Sequence, residues 1–192
     1  MRAIDMLMHE HRVIEKVMNA LDRFTERVAA GEDIPIEDAA SFAGFIREFA
    51  DRCHHGKEEN ILFERMAASG FSKEAGPLAV MYHEHTIGRL HGKAIGEVGE
   101  STEWTSELRA KFVENAKKYT SLLRSHIQKE DTILYPMAVR QLGGAEMESI
   151  AEACDAFEAN VMGDGTHEQF HELAHVLIDR YSGDGSPVCD GH

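Results

Sequence analysis

The residues best placed to do chemistry occur twice. His54-His55-Gly56-Lys57-Glu58-Glu59-Asn60-Ile61-Leu62-Phe63 realigns with His126-Ile127-Gln128-Lys129-Glu130-Asp131-Thr132-Ile133-Leu134-Tyr135 at an offset of 72, and upstream Met8-His9-Glu10-His11 realigns with Tyr82-His83-Glu84-His85 at an offset of 74. Each half therefore offers HEH followed by HxxxE. In a helix, positions four apart lie on one face about a turn from each other, so His54 with Glu58, and His126 with Glu130, can reach one point. Imidazole nitrogen and carboxylate oxygen together suit iron, manganese or zinc, and a carboxylate can bridge two cations and offset their repulsion. Two such units packed antiparallel would bring His11, His54, Glu58, His85, His126 and Glu130 together as a dinuclear metal site. Buried without a cation, the same carboxylates would have to take up protons or find hydrogen bonds. A single HxxxE reads more simply as a solvated face. Two copies, each followed by Ile-Leu and an aromatic residue, favour metal.

A second motif competes. Thr166-His167-Glu168-Gln169-Phe170-His171-Glu172-Leu173-Ala174-His175 contains two overlapping HExxH matches, the pattern of a zinc hydrolase in which two histidines hold Zn²⁺ and the glutamate activates its water. The extended form of that motif fails, because Ala174 and Leu177, or Ile178 and Tyr181 for the second copy, stand where glycine and a third histidine are needed. The zinc hydrolase is the remote alternative. A last helix lending His167 or His171 to the main cluster, and a histidine-rich outer face, are the other two readings.

Helices must position these groups. The four prolines (35, 77, 136, 187) fall near the starts and stops of apolar patterns with helical period. Ile4, Leu7, Met8, His11, Ile14, Val17, Met18, Leu21 and Val28 predict a first helix ending near Gly31, and Phe42, Phe45, Ile46, Phe49 and Cys53 a second from Pro35 to about Ala68. A third is expected over about 77–98 and a fourth over about 102–141, with Phe112, Ala116, Tyr119, Leu123, Ile127 and Leu134 as its stripe. No segment alternates long enough to be a strand. The expected fold class is all-α, an antiparallel up-down four-helix bundle over 1–141. One or two extra C-terminal helices over 142–182 pack on it, followed by a Gly-rich, flexible tail at 183–192.

Composition excludes several classes of function. With 34 acidic against 20 basic side chains the net charge is −14, opposite to the clustered positive charge of nucleic-acid binders. No run approaches the roughly 20 apolar residues of a membrane span. The N-terminal MRAIDMLMHEHRVIEK is interrupted by charge too often for a signal peptide, and Cys53, Cys154 and Cys189 are odd in number and lack CxxC, so a cytoplasmic protein with reduced thiols is expected. Cys53 continues an apolar stripe and reads as a buried core residue.

Over about residues 4–140 the chain resembles the hemerythrin-like, or HHE cation-binding, family, whose pattern is a histidine early in the first helix, HxxxE in the second, histidine in the third, and HxxxE or HxxxxD in the fourth. The resemblance implies a four-helix bundle around two non-haem iron ions with an oxo or hydroxo bridge, Mn or Zn being possible occupants. It implies a role in binding or sensing O₂ or a related diatomic or oxidant, or an enzyme that decomposes peroxide or reduces nitric oxide. By position His11, His54, Glu58, His85, His126 and Glu130 inherit the ligand roles, with Glu58 and Glu130 as bridges. One departure stands out: oxygen carriers have a second histidine four residues after the first in the third helix, and here that position is Arg89. His55 is the first substitute, rotated only about 100° from His54 in an ideal helix, and His167 is the second; His83 and His91 read as outer-layer or surface residues. A metal that only staples a helical interaction module is the third class of function. The sequence leaves the physiological ligand and the oligomer open.

Overall fold

The computed structural model describes residues 2–162 and 166–181, the side chains of 161–168 excepted. Helix α1 (Arg2–Ala29) buries Ile4, Leu7, His11, Ile14, Val17, Met18, Leu21 and Val28, the stripe its sequence predicts. It stops at Gly31, whose φ of 76° is open to glycine at little steric cost. Helix α2 is one continuous rod over residues 37–68, with α-helical ends (Glu37–Phe45 and Phe63–Ala68) and π-helical turns between them (Ile46–His55 and Glu58–Leu62). Helix α3 is Gly76–Gly99, opened by Pro77 in its first turn.

Helix α4 spans residues 106–142 and includes a π-helical stretch at Glu130–Leu134. It starts at Ser106 rather than near residue 102. The Thr105 side chain caps it by accepting a hydrogen bond from the Leu108 amide (3.2 Å), and the preceding loop is tied back by Trp104 Nε1 donating to the Ile34 carbonyl (2.9 Å). Gly143 (φ 74°, ψ 176°) turns the chain into α5 (residues 144–162), and α6 is Thr166–Tyr181.

Short connections make α1 to α4 an antiparallel up-down four-helix bundle, in which α4 packs on both α1 and α3, and α3 on α2. Where α2 and α3 cross, a Cβ at Gly99 would fall 2.3 Å from the Ala40 amide nitrogen, so only glycine permits that approach. Helix α6 lies against α1 and α2. Its Tyr181 ring packs 4.9 Å from Phe24 and donates its hydroxyl to Asp38, which Arg180 also engages. Helix α5 is held over the opposite end by Arg2 to Asp155 (2.8 Å) and Arg65 to Glu146 (2.7 Å).

The apolar interior forms two bodies. One gathers Phe24, Phe42, Phe45, Phe49 and Phe112 with Leu177 and Tyr181 of α6; the other gathers Leu7, Leu62, Phe63, Met66 and Leu134 with Met147, Ile150 and Cys154 of α5. The C-terminal helices thus complete both cores. Between the two bodies lies a buried polar layer. The expected flexible tail at 183–192 lies outside the described residues. Among those described, no helix is long and apolar enough to cross a membrane.

Candidate metal centre

The polar layer brings together the six residues of the repeated motifs and one more. His11, His54, His85, His126, Glu58 and Glu130 are all buried, as is His55. They form two overlapping sets whose nitrogen or oxygen atoms lie within 4.8 Å of one another: His11, His54, Glu58 and Glu130 in one, His55, Glu58, His85 and His126 in the other. Glu58 belongs to both. Within the first set His11 Nε2 is 3.3 Å from Glu130 Oε2, and His54 Nε2 is 3.7 Å from Glu58 Oε2. Toward the second, His85 Nε2 is 3.5 Å from Glu58 Oε2, and His126 Nε2 is 3.2 Å from Glu130 Oε2.

Each imidazole is aimed by a carboxylate behind it. Nδ1 of His11 bonds to Asp131 (2.7 Å), of His54 to Glu10 (2.7 Å), of His55 to Asp51 (3.3 Å), of His85 to Glu59 (2.6 Å) and of His126 to Glu84 (2.9 Å). A ring that donates Nδ1–H to a carboxylate keeps the Nε2 lone pair free and directed inward, the arrangement that orients metal-ligating histidines. These acids obey the same duplication. The glutamate inside each HEH (Glu10, Glu84) serves the HxxxE histidine of the next helix, and the acid after each HxxxE glutamate (Glu59, Asp131) serves the histidine of HEH. Lys57 and Lys129, also equivalent, donate to Glu10 and Glu84. The aromatic ends of the repeat stack on the histidines, Tyr135 on His11 (5.5 Å between centroids) and Phe63 on His85 (5.9 Å).

The sequence motifs contain these supporting residues, and their recurrence at both offsets is the signal that identifies them. Asp51, in contrast, has no repeated partner and is visible only in the fold. The same holds for the role of Tyr135, whose hydroxyl donates to Glu58 Oε1 (2.6 Å) and sits 3.4 Å from His11 Nε2.

Donor chemistry and burial together test whether cations fit. His54 Nε2, His55 Nε2, Glu58 Oε2 and both oxygens of Glu130 are buried without a hydrogen-bond partner, a costly state for groups removed from water. His85 Nε2 and His126 Nε2 face each other at 3.0 Å, although each ring already bonds a carboxylate at Nδ1. Protonation is split unevenly across the layer. Burial drives Glu58 well above the ordinary carboxylate range, reinforced by the charge of Glu130. Glu130 is held well below that range, because the pull of His126 and His11 outweighs burial. Burial also opposes the charged form of His11 and His126, yet their carboxylate neighbours raise them to about 9 and about 10. His54 falls to about 4 through burial and the charge of His11. The N/O donor set, with its buried unpartnered atoms, fits a pair of divalent cations of the iron, manganese or zinc type.

His55 lies against His85, with ring centroids 3.8 Å apart. Arg89, at the position of the missing third-helix histidine, turns outward and pairs with Asp51 (2.8 Å) and Glu59 (2.9 Å), the acids behind His55 and His85. A cleft of about 240 Å³ between α2 and α3 reaches this side of the layer and is lined by His55, Gly88, Arg89, Gly92 and Tyr119 among others. The side chain of His167 lies outside those described. His171 packs edge-on against Phe49 (5.3 Å), His83 is exposed, and His91 bonds to Asn115 (2.9 Å). Among the described residues, no side chain of α6 joins a group able to hold a metal; His167 and Glu168 of the first HExxH copy lie outside them.

A family model described as "Hemerythrin HHE cation binding domain" matches residues 2–138. The chain is also 22% identical over 159 residues to the uncharacterized proteins Mb2018 of Mycobacterium bovis and Rv1995 of Mycobacterium tuberculosis, a match covering 82% of this chain. It spans 62% of the length of those relatives. No solved structure matches significantly.

Proposed function

Since the chain belongs to the hemerythrin HHE cation-binding family, we propose that it holds two iron ions in the buried layer and through them binds or senses O₂ or a related diatomic or oxidant. His11, His54 and Glu130 would hold one ion and His55, His85 and His126 the other, with Glu58 common to both sets of ligand atoms. The observation that carries this reading is the set of five imidazoles, each bonded at Nδ1 to a carboxylate and each turned with its other nitrogen toward a common interior. When bound, a reduced iron pair supplies electrons that a diatomic ligand or oxidant can accept.

The chain's own part is positioning and exclusion. Glu10, Glu59, Glu84 and Asp131 hold four rings in one tautomer, the two apolar bodies keep bulk water out, and the α2/α3 cleft gives a small ligand an approach on the His55 side. Tyr135 keeps a phenolic proton on Glu58 Oε1 inside the layer. That proton favours a second reading, turnover of peroxide or reduction of nitric oxide, which steady-state kinetics separates from stoichiometric binding.

Elemental analysis after anaerobic iron loading, paired with a spectrum in air, tests the proposal. About two irons per chain are expected, as in di-iron bundles of this ligand type, with near-ultraviolet absorption that azide shifts. His54→Ala and Glu130→Ala should each lose metal, while His175→Ala should keep it. Protein that stays colourless and takes up no iron would refute the reading.

A further inference from the structure

A third group of potential ligands lies beside the metal layer: Glu10, Cys53 and Glu158, with ligand atoms within 4.8 Å of one another. It is already served by a cation. The fully buried Lys57 donates to Glu10 and, at 3.1 Å, to Glu158. Glu10 in turn accepts from His54 Nδ1 (2.7 Å). An unbroken polar chain therefore runs from α5 to a ring of the metal layer, through Glu158, Lys57, Glu10 and His54. Beside it, Phe157 covers the α2 backbone so closely that a Cβ at Gly56 would meet its ring at 2.8 Å. Gly56 lies between His55 and Lys57.

Among the described residues the other half of the repeat has no such cover. Lys129, the equivalent of Lys57, donates to Glu84 but leaves 33% of its side chain exposed, against 0% for Lys57. Glu158 also lies beyond residue 138, where the match to the family model ends.

We propose that α5, through Glu158 and Phe157, is a positioning element for one of the two metal positions: Glu158 clamps Lys57, Lys57 clamps Glu10, and Glu10 holds the His54 ring and its tautomer, while Phe157 presses the ligand-bearing turn of α2 into place. The His11/His54 position is thereby held more firmly than it would be by the repeat alone. Buried charges act in this way because an ammonium out of water keeps its partners only in a narrow geometry, and outer partners of ligating histidines govern metal affinity.

The proposal rests on the reading that the layer holds metal, so its test has one arm that needs none. In metal-free protein carrying ¹⁵N-histidine, NMR reports which His54 nitrogen is protonated. Wild type should show a single Nδ1–H form, and Glu158→Gln, which keeps shape and removes charge, should show a mixture. In the second arm, anaerobic Fe(II) titration of the same variant should weaken one ion by roughly three- to tenfold and leave the other unchanged, less than the 10–100-fold typical of direct partners of ligands. Glu158→Asp should restore part of the affinity, and Phe157→Leu should act in the same direction as Glu158→Gln. A wild-type His54 signal and unaltered iron affinity in Glu158→Gln would overturn the proposal. Equal weakening of both ions with loss of helical circular dichroism would also overturn it, by assigning Glu158 a purely structural role. Failure of wild type to bind iron would instead refute the metal reading, with the His54 signal still deciding the positioning role.

Discussion

Five histidines separate ligand chemistry from ordinary polarity, because each is held at Nδ1 by its own acid. With His11 and His126 raised to about 9 and about 10 by their carboxylate neighbours, both rings are expected to carry a second ring proton at neutral pH in the metal-free protein. Coordination requires that proton to leave. Iron affinity is therefore expected to rise with pH toward 9 to 10, and loading at pH 7 should acidify a weakly buffered solution, as a pH electrode would record. The metal-free fold has the opposite dependence. A raised imidazole adds stability below its unfolded value near 6.5, and that contribution disappears as pH climbs through about 9 to 10. His54, lowered to about 4, is neutral at pH 7 with its one proton on Nδ1, and has no second proton to release.

At the scale of the element, the π-helical turns of α2 decide which residues face inward. More residues per turn means less rotation between neighbours, and π-turns of this kind recur at functional sites. His54 and His55 consequently both enter the layer, whereas the equivalent pair in α4 contributes His126 and leaves Ile127 to the core. The glycines of α3 shape the cleft on that side. A Cβ at Gly88 would meet Tyr119 at 3.8 Å, an ordinary contact, so Gly88→Leu can fold while filling space beside His55. Stopped-flow mixing of the iron-loaded variant with azide should show association slowed roughly tenfold, equivalent to about 1.4 kcal/mol of added barrier. Iron content should stay unchanged, and the helix should gain about 0.5–1 kcal/mol from loss of a mid-helix glycine.

For the whole molecule, the unsatisfied layer at mid-bundle is a weakness that bound metal would remove. A ligand present at about 100 times its dissociation constant stabilises a fold by about 2.7 kcal/mol per site. Calorimetry of iron-loaded against chelator-treated protein should therefore show a melting temperature higher by several degrees with metal. Unchanged melting would mean that the layer gains nothing from a cation. Because α5 and α6 complete the two apolar bodies, the loaded and metal-free forms are expected to melt as one cooperative unit rather than as a bundle with a separate tail.

How much was legible in advance depends on range along the chain. The helices and the four-helix arrangement follow from apolar residues at three- and four-residue steps, since that period is local. The duplicated HEH and HxxxE, with Lys57 and Lys129 beside them, are readable because two copies of a pattern carry more information than one. Helix α4 starts four residues later than its apolar period predicts because Trp104 anchors the preceding loop on Ile34 in the distant α1–α2 connection. His55 is the first substitute the sequence offers for the histidine missing at Arg89, but which nitrogen each acid would hold, and that Glu158 reaches Lys57, depend on side chains brought together from remote segments. Sequence alone determined the ligand types and the helices that carry them. Only tertiary packing decided their aim, because a ring's direction is set by the partner behind it.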